Sequence, residues 1–126
     1  MTESKLLIDS SAWLAYFLAA NEEVKKVIEQ EVILLSSVIT LFEIRRKLLR
    51  EKTAAEKIEK TISFITSRSI TIELTKETAE AAASISVEKK LSAMDALIYT
   101  TAQKNHAILV TGDYDFKGCE DVLFIY

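Results

Sequence analysis

Apolar residues fall along this chain in short blocks separated by longer amphipathic stretches. Lys5-Leu6-Leu7-Ile8-Asp9, Val32-Ile33-Leu34-Leu35, Ala107-Ile108-Leu109-Val110 and Val122-Leu123-Phe124-Ile125 are compact runs, and Ser69-Ile70-Thr71-Ile72 is a weaker one. Continuous apolar runs of this length read as strands buried on both faces. Between them the period lengthens to that of a helix. Ser10 or Ser11 caps a helix expected to reach about Ala19, and a second lies near Glu22 to Gln30 with Val24, Val27 and Ile28 on one side. Ser36 or Ser37 starts a third that runs to about Arg50. Thr53 starts a fourth, with Ala55, Ile58, Ile62 and Ile65 as its inner stripe. Thr75 caps a helix to about Lys89, and Ser92 caps the last one. Strands separated by helices predict an α/β fold, with a mostly parallel sheet of about five strands covered on both faces.

One position breaks the pattern. In Leu91-Ser92-Ala93-Met94-Asp95-Ala96-Leu97-Ile98-Tyr99-Thr100-Thr101-Ala102, the residues Leu91, Ile98, Tyr99 and Ala102 form one helical stripe, and Asp95 stands in its middle. An ionised group buried there costs on the order of several kcal/mol unless it is compensated. Two arrangements remove the cost. Asp95 bonds backbone amides in the helix's first turn, or it lies at the edge of the stripe over a polar cleft.

In parallel sheets, ligands bind beyond the carboxyl ends of the strands. That rule singles out Asp9, after the first strand, and Asp113, after the fourth. Each has a simpler local explanation. Asp9 before Ser10 and Ser11 is a fair helix cap, and Thr111-Gly112-Asp113-Tyr114-Asp115-Phe116 is a fair turn. Glu43 is the least marked of the carboxylates. It falls outside the Leu41, Ile44 and Leu48 arc and reads as a solvated glutamate able to pair with Lys47.

Composition narrows the chemistry. The 126 residues are 49% hydrophobic and 28% charged, with two glycines and no proline, so one domain spanning 1–126 is expected, without a linker. The apolar run at 12–20 is too short to span a bilayer and follows an acidic residue, so no membrane association and a cytoplasmic location are expected. A single cysteine, Cys119, rules out a disulfide framework and a cysteine-rich zinc site. A single histidine, His106, placed to end a helix or to lie at the surface, leaves no paired-histidine metal site. No nucleophile elbow and no phosphate-binding glycine loop is present. The net charge of −3 argues against a protein that coats nucleic acid by bulk attraction. What remains is acidic. Strand-end carboxylates and one on a buried helix face would converge on a cleft only with compensation, which hard cations such as Mg²⁺ or Mn²⁺ supply through oxygen ligands. Such sites suit phosphoryl chemistry.

Four segments, in order and from end to end, carry a resemblance: LLIDSSAWLAYF, SSVITLFEIRRKL, LSAMDALIYTTA and ILVTGDYDF. The chain resembles the PIN-domain ribonucleases, most closely the small VapC-type toxins of prokaryotic toxin-antitoxin pairs. The resemblance implies a three-layer α/β/α sandwich around the parallel sheet, and metal-dependent endonucleolytic cleavage of RNA. It implies Asp9, Glu43, Asp95 and Asp113 as the acidic quartet. Ser11 and Thr111 then supply small hydroxyls beside the metal or its waters, and Asp115 an accessory carboxylate. A homodimer and a small antitoxin protein inserting a segment near the cleft are implied as partners.

Arg45, Arg46, Lys47 and Arg50 form a basic cluster on the helix that carries Glu43. They read either as phosphate contacts or as a solvated face favouring the helix C-terminus. Trp13, Tyr16 and Phe17 read as core or a protein interface rather than base-stacking residues. Other expectations compete with the toxin: a stand-alone nuclease of this family in RNA processing, a receiver- or phosphatase-like domain phosphorylated on Asp9, and a non-catalytic RNA- or protein-binding module. The receiver-like reading wants a lysine at a late strand end, where this chain has Asp113. The intact set of carboxylates argues against a decayed site.

Overall fold

A computed structural model describes residues 4–18 and 21–125. Its elements follow the expected order: β1 (Lys5–Ile8), α1 (Ser10–Leu18), α2 (Glu22–Glu29), β2 (Ile33–Ser37), α3 (Val38–Arg50), α4 (Ala55–Arg68), β3 (Ile70–Ile72), α5 (Lys76–Lys89), α6 (Ala93–Lys104), β4 (Ile108–Thr111) and β5 (Val122–Phe124). A 3₁₀ turn, Tyr114–Phe116, joins the last two strands. The end expected for the first helix at Ala19 lies outside the described residues.

All five strands are parallel, in the order β3-β2-β1-β4-β5. Alternation along the strands feeds two cores. Leu6, Ile8, Leu34 and Val110 face one side, where Ala12, Trp13, Val24, Ile28, Ile44, Ile58 and Ile65 of α1–α4 cover them. Leu7, Leu35 and Leu109 face the other, under Ala82 of α5, Ala96, Ile98 and Tyr99 of α6, and Phe116. The fold is therefore a three-layer α/β/α sandwich. The chain builds outward from β1 through β2 to β3, then returns to the opposite side of β1 with β4. This reversal opens a crevice at the carboxyl ends of β1 and β4.

The helix starts refine the sequence reading. Asp9, rather than Ser10 or Ser11, caps α1: its Oδ1 accepts from the Ala12 amide at 2.9 Å. Ser37 caps α3, while the Ser36 hydroxyl points into the core between Trp13 Nε1 and Ser69 Oγ. Thr53 does not cap α4; the position before that helix is Ala54, without a side-chain bond. The Thr53 amide is already used, donating to Leu48 O as α3 closes through Lys52 in the left-handed conformation. Thr75 and Ser92 cap α5 and α6 as expected. His106 is exposed at the end of α6, again with positive φ. Among the described residues, no helix is long and apolar enough to cross a membrane.

Candidate active site

Asp9 leaves β1 directly into the crevice and is 4% exposed. Its Oδ1 accepts from Ser11 Oγ at 2.7 Å as well as from Ala12 N. Ser11 Oγ lies 3.3 Å from Thr111 Oγ1 and accepts from Gly112 N at 2.9 Å. Thr111 Oγ1 in turn accepts from the Asp113 amide at 2.9 Å. The two hydroxyls therefore link the end of β1 to the turn after β4. Burial pushes the Asp9 carboxyl above its ordinary value, against the hydrogen bonds from Thr111, Ser11 and Ala12; the charge of Asp113 adds to the rise.

The turn after β4 is organised by its own acid. Asp113 Oδ1 accepts from Asp115 N at 2.9 Å and caps the 3₁₀ turn. Phe116 is buried beneath it and stacks on Tyr99 of α6, with ring centroids 6.3 Å apart. Both acids of the turn thereby approach α6. Carboxylate oxygens of Asp95, Asp113 and Asp115 all lie within 4.8 Å of one another, a spacing that could hold a metal ion.

The stripe around Asp95 is buried as the period requires: Leu91, Ile98, Tyr99 and Ala102 are all in the core. Asp95 itself is half-buried at the stripe's edge. The cap of α6 is Ser92, whose Oγ accepts from the Asp95 amide at 3.3 Å. Burial raises the Asp95 carboxyl most; the Ser92 hydroxyl opposes this, and the charges of Asp113, Asp115 and Asp9 raise it further. Its place in the first turn of α6 gives it the favourable end of the helix dipole.

Glu43 arrives from α3. Its expected partner, Lys47, is instead 3.7 Å from Glu51. Glu43 Oε1 accepts from Ser10 Oγ at 3.2 Å, which turns it inward. Burial raises its carboxyl, Ser10 lowers it, and Asp9, Asp95 and Asp113 raise it electrostatically. Ser10 is absent from the candidate residues read from the sequence. Its only local signal is its position after Asp9, which suggested a cap.

Five carboxylates thus share one crevice. Among the described residues, the four ion pairs all lie elsewhere, so no lysine or arginine neutralises this group. An all-oxygen donor set with mutual repulsion and no protein cation fits a hard divalent ion.

The basic cluster is divided by its helix. Arg45 turns away from Glu43 and pairs with Glu59 of α4 at 2.8 Å. At about 100° per residue, Arg46, Lys47 and Arg50 return to the Glu43 side of α3. Arg46 and Arg50, with Phe42, Arg45 and Leu49, line a shallow cavity of about 360 Å³. Trp13 is fully buried. Tyr16 and Phe17 pack with it and with Phe64 of α4, which is partly exposed at the edge of the cluster.

The same architecture occurs in solved structures. A chain of a toxin-antitoxin complex from Klebsiella pneumoniae superposes with a TM-score of 0.81 at 25% identity, covering 96% of this chain and 98% of that one. A chain of VapBC2 from Rickettsia felis, solved on a DNA fragment from its promoter, gives 0.78 at 16% identity, with 95% and 96% covered. VapC20 from Mycobacterium tuberculosis, a toxin that cleaves the sarcin-ricin loop, gives 0.75 at 18% identity, with 96% and 99% covered. No curated protein sequence matches significantly. The sequence model of the PIN domain matches residues 6–120, from the strand that delivers Asp9 to beyond the turn that holds Asp113 and Asp115. That match takes in the five carboxylates and nearly all of the sandwich around them, and the chain belongs to the PIN domain family.

Proposed function

We propose that this protein is a Mg²⁺- or Mn²⁺-dependent endoribonuclease, the toxin of a toxin-antitoxin pair. One observation carries the reading: Asp9, Glu43, Asp95, Asp113 and Asp115 meet at the sheet's switch point without a protein cation. Asp95, Asp113 and Asp115 would hold the ion most directly, with Asp9 and Glu43 completing the site. When bound, the ion would polarise the scissile phosphate and lower the pKa of an attacking water.

The side chains divide the remaining work. Ser11 and Thr111 fix the Asp9 carboxylate and the turn before Asp113 in one register. Glu43, raised by burial and held at Oε1 by Ser10, would take the water's proton. The water attacks the phosphorus in line, the leaving oxygen departs with its electron pair, and no covalent enzyme intermediate forms. Arg46 and Arg50 would meet the RNA backbone on the Glu43 side of α3. A small antitoxin protein with a segment near the acidic crevice and a homodimer are the expected partners.

The test uses the protein without any partner, incubated with structured and unstructured RNAs in Mg²⁺, in Mn²⁺ and in chelator. Internal cleavage that needs the metal and disappears in Asp95→Asn is expected. If Asp95→Asn cleaves like the parent, the assignment of this crevice is wrong.

A further inference from the structure

Helix α5 ends in a tightly built connection to α6. The Lys90 and Leu91 amides both donate to Ser86 O, and Ser86 Oγ donates to Leu91 O at 2.6 Å. Leu91 is buried, and the next residue, Ser92, already caps α6. Lys90 holds this turn in the left-handed conformation, with φ 57° and ψ 42°. A residue with a Cβ is strained there, and glycine is the usual occupant of such a helix end. Lys52, His106 and Asp121 also have positive φ at junctions between elements, so the conformation alone does not single out Lys90. Its place does. It stands five residues before Asp95, on a connection fixed at both ends.

Lys89 is tied to the same side of the crevice. Its ammonium lies 6.0 Å from the centroid of the Tyr99 ring, at the reach of a cation–π contact. Tyr99 stacks on Phe116, which anchors the turn of Asp113 and Asp115. Both lysines are exposed, and among the described residues neither belongs to an ion pair. Two positive charges therefore stand on the Asp95 side of the carboxylates, as Arg46 and Arg50 stand on the Glu43 side. The lysines do not pair with the acids, so both charges are left for a ligand. An anionic chain that crosses the crevice would meet a cation on each lip.

We propose that Lys89 and Lys90 hold the RNA backbone on the second lip of the crevice. The strand then runs from Arg46 and Arg50 of α3, over the acids, to the α5–α6 connection. This inference rests on the nuclease reading above and adds the path of the substrate to it. A strand held on one lip alone could swing away from the acids. Held on both, it presents the phosphate that lies between them. Lysine ammonium groups act on phosphate as point charges, so this contact positions the backbone and reads no base.

The experiment uses a fluorescein-labelled, unstructured RNA in Mg²⁺. Stopped-flow anisotropy measures binding from low to moderate salt, and cleavage is followed on the same RNA. Lys90→Gly is the most telling variant, because its two expected effects have opposite signs. Glycine relieves the left-handed turn, so Tm should rise. Loss of one phosphate contact should lower the slope of log K against log salt by about 0.7, which is about fivefold in affinity near ~0.1 M salt. KM should rise by a similar factor, with kcat little changed. Lys89→Gln should weaken binding in the same way. Lys104→Gln, in the last turn of α6, should not. The losses from Lys90→Gly and Arg46→Gln should add on a logarithmic scale, since one strand meets both lips. Unchanged or tighter binding by Lys90→Gly, an equal loss in Lys104→Gln, or a Lys90→Gly effect that vanishes beside Arg46→Gln overturns the path. Cleavage that ignores both lysines removes the path and leaves the nuclease standing. Binding that depends on them without any cleavage keeps the path and removes the nuclease.

Discussion

Ser10 Oγ donates to Glu43 Oε1 at 3.2 Å, joining residues 33 positions apart and tying the start of α1 to the second turn of α3. Without that bond, Glu43 would lie beside three like charges, with burial and repulsion both opposing its ionised form. The hydroxyl is the polar group that turns the side chain inward. Ser10→Ala should leave the fold intact and loosen Glu43. Removing a hydrogen-bond partner of a ligating carboxylate typically weakens metal affinity by about 10- to 100-fold. Titration of Mn²⁺ into parent and variant by calorimetry checks this, and unchanged affinity would place Glu43 outside the metal's reach.

Repulsion within the crevice also sets the pH response of the metal-free protein. Asp9, Glu43 and Asp95 are all raised above their ordinary values of 3.8, 4.5 and 3.8. Above those unfolded values, the native state holds more protons than the unfolded chain. The stability these groups contribute is complete below them and is lost as pH rises through the raised native values. In chelator, Tm should therefore fall with rising pH across that window. Asp95→Asn should flatten the fall, because it removes one of the titrating groups and its repulsion of the others. It should also unfold at the same temperature as the parent or higher. Excess divalent ion should reverse the loss in the parent, by about 2.7 kcal/mol at a hundredfold excess over Kd. A scanning calorimetry series over pH decides the matter. An Asp95→Asn variant that is sharply less stable would show that this carboxylate serves the helix start instead.

Strands and helices were legible in the sequence because each is specified locally. The apolar blocks at Leu6–Ile8 and Leu109–Val110 need burial on both faces, and Ser37, Thr75 and Ser92 cap the helices that follow them. Asp95 was legible as an anomaly because its stripe is otherwise apolar. Glu43 was not, since its inward turn depends on Ser10, far away in the chain. The nearness of Asp115 to Asp95 was not legible either, for a related reason. Its approach to Asp95 depends on a 3₁₀ turn that Asp113 caps and Phe116 anchors, and neither interaction shows in a pattern of single residues. The pairing of Arg45 with Glu59 likewise joins two helices whose relative rotation only packing sets.

Trp13 tests the core beneath the crevice. It is fully buried, and its Nε1 donates to Ser36 Oγ at 2.9 Å. Ser36 is also 2.8 Å from Ser69 Oγ, so α1, β2 and the end of α4 are joined by one small polar chain. Trp13→Phe keeps most of the apolar volume and leaves Ser36 its bond with Ser69. The expected loss is about 1–2 kcal/mol, from one hydrogen bond and a modest cavity. Trp13→Ala should cost about 3–5 kcal/mol. Urea unfolding separates the two, and equal losses would mean that the ring's volume matters little beside its N–H.

The basic residues of α3 divide by partner rather than by sequence. Arg45 already holds Glu59 at 2.8 Å, on the side of the helix away from Glu43. Lys47 lies within 3.7 Å of Glu51. Arg46 and Arg50 have no such ion pair among the described residues, and they rise from the face that carries Glu43 into the crevice. Contacts with phosphate release counterions, and for single strands each contributes about 0.7 to the slope of log K against log salt. Arg46→Gln and Arg50→Gln should each weaken RNA binding and lower that slope by about this amount. Arg45→Gln should change neither by much, because its charge is already matched and its exposed pair with Glu59 contributes under about 1 kcal/mol to stability. Binding measured from low to moderate salt for the three variants distinguishes the roles. A slope lowered equally by Arg45→Gln would mean that the pair with Glu59 opens to meet RNA, and that the whole α3 cluster, not one face of it, forms the contact.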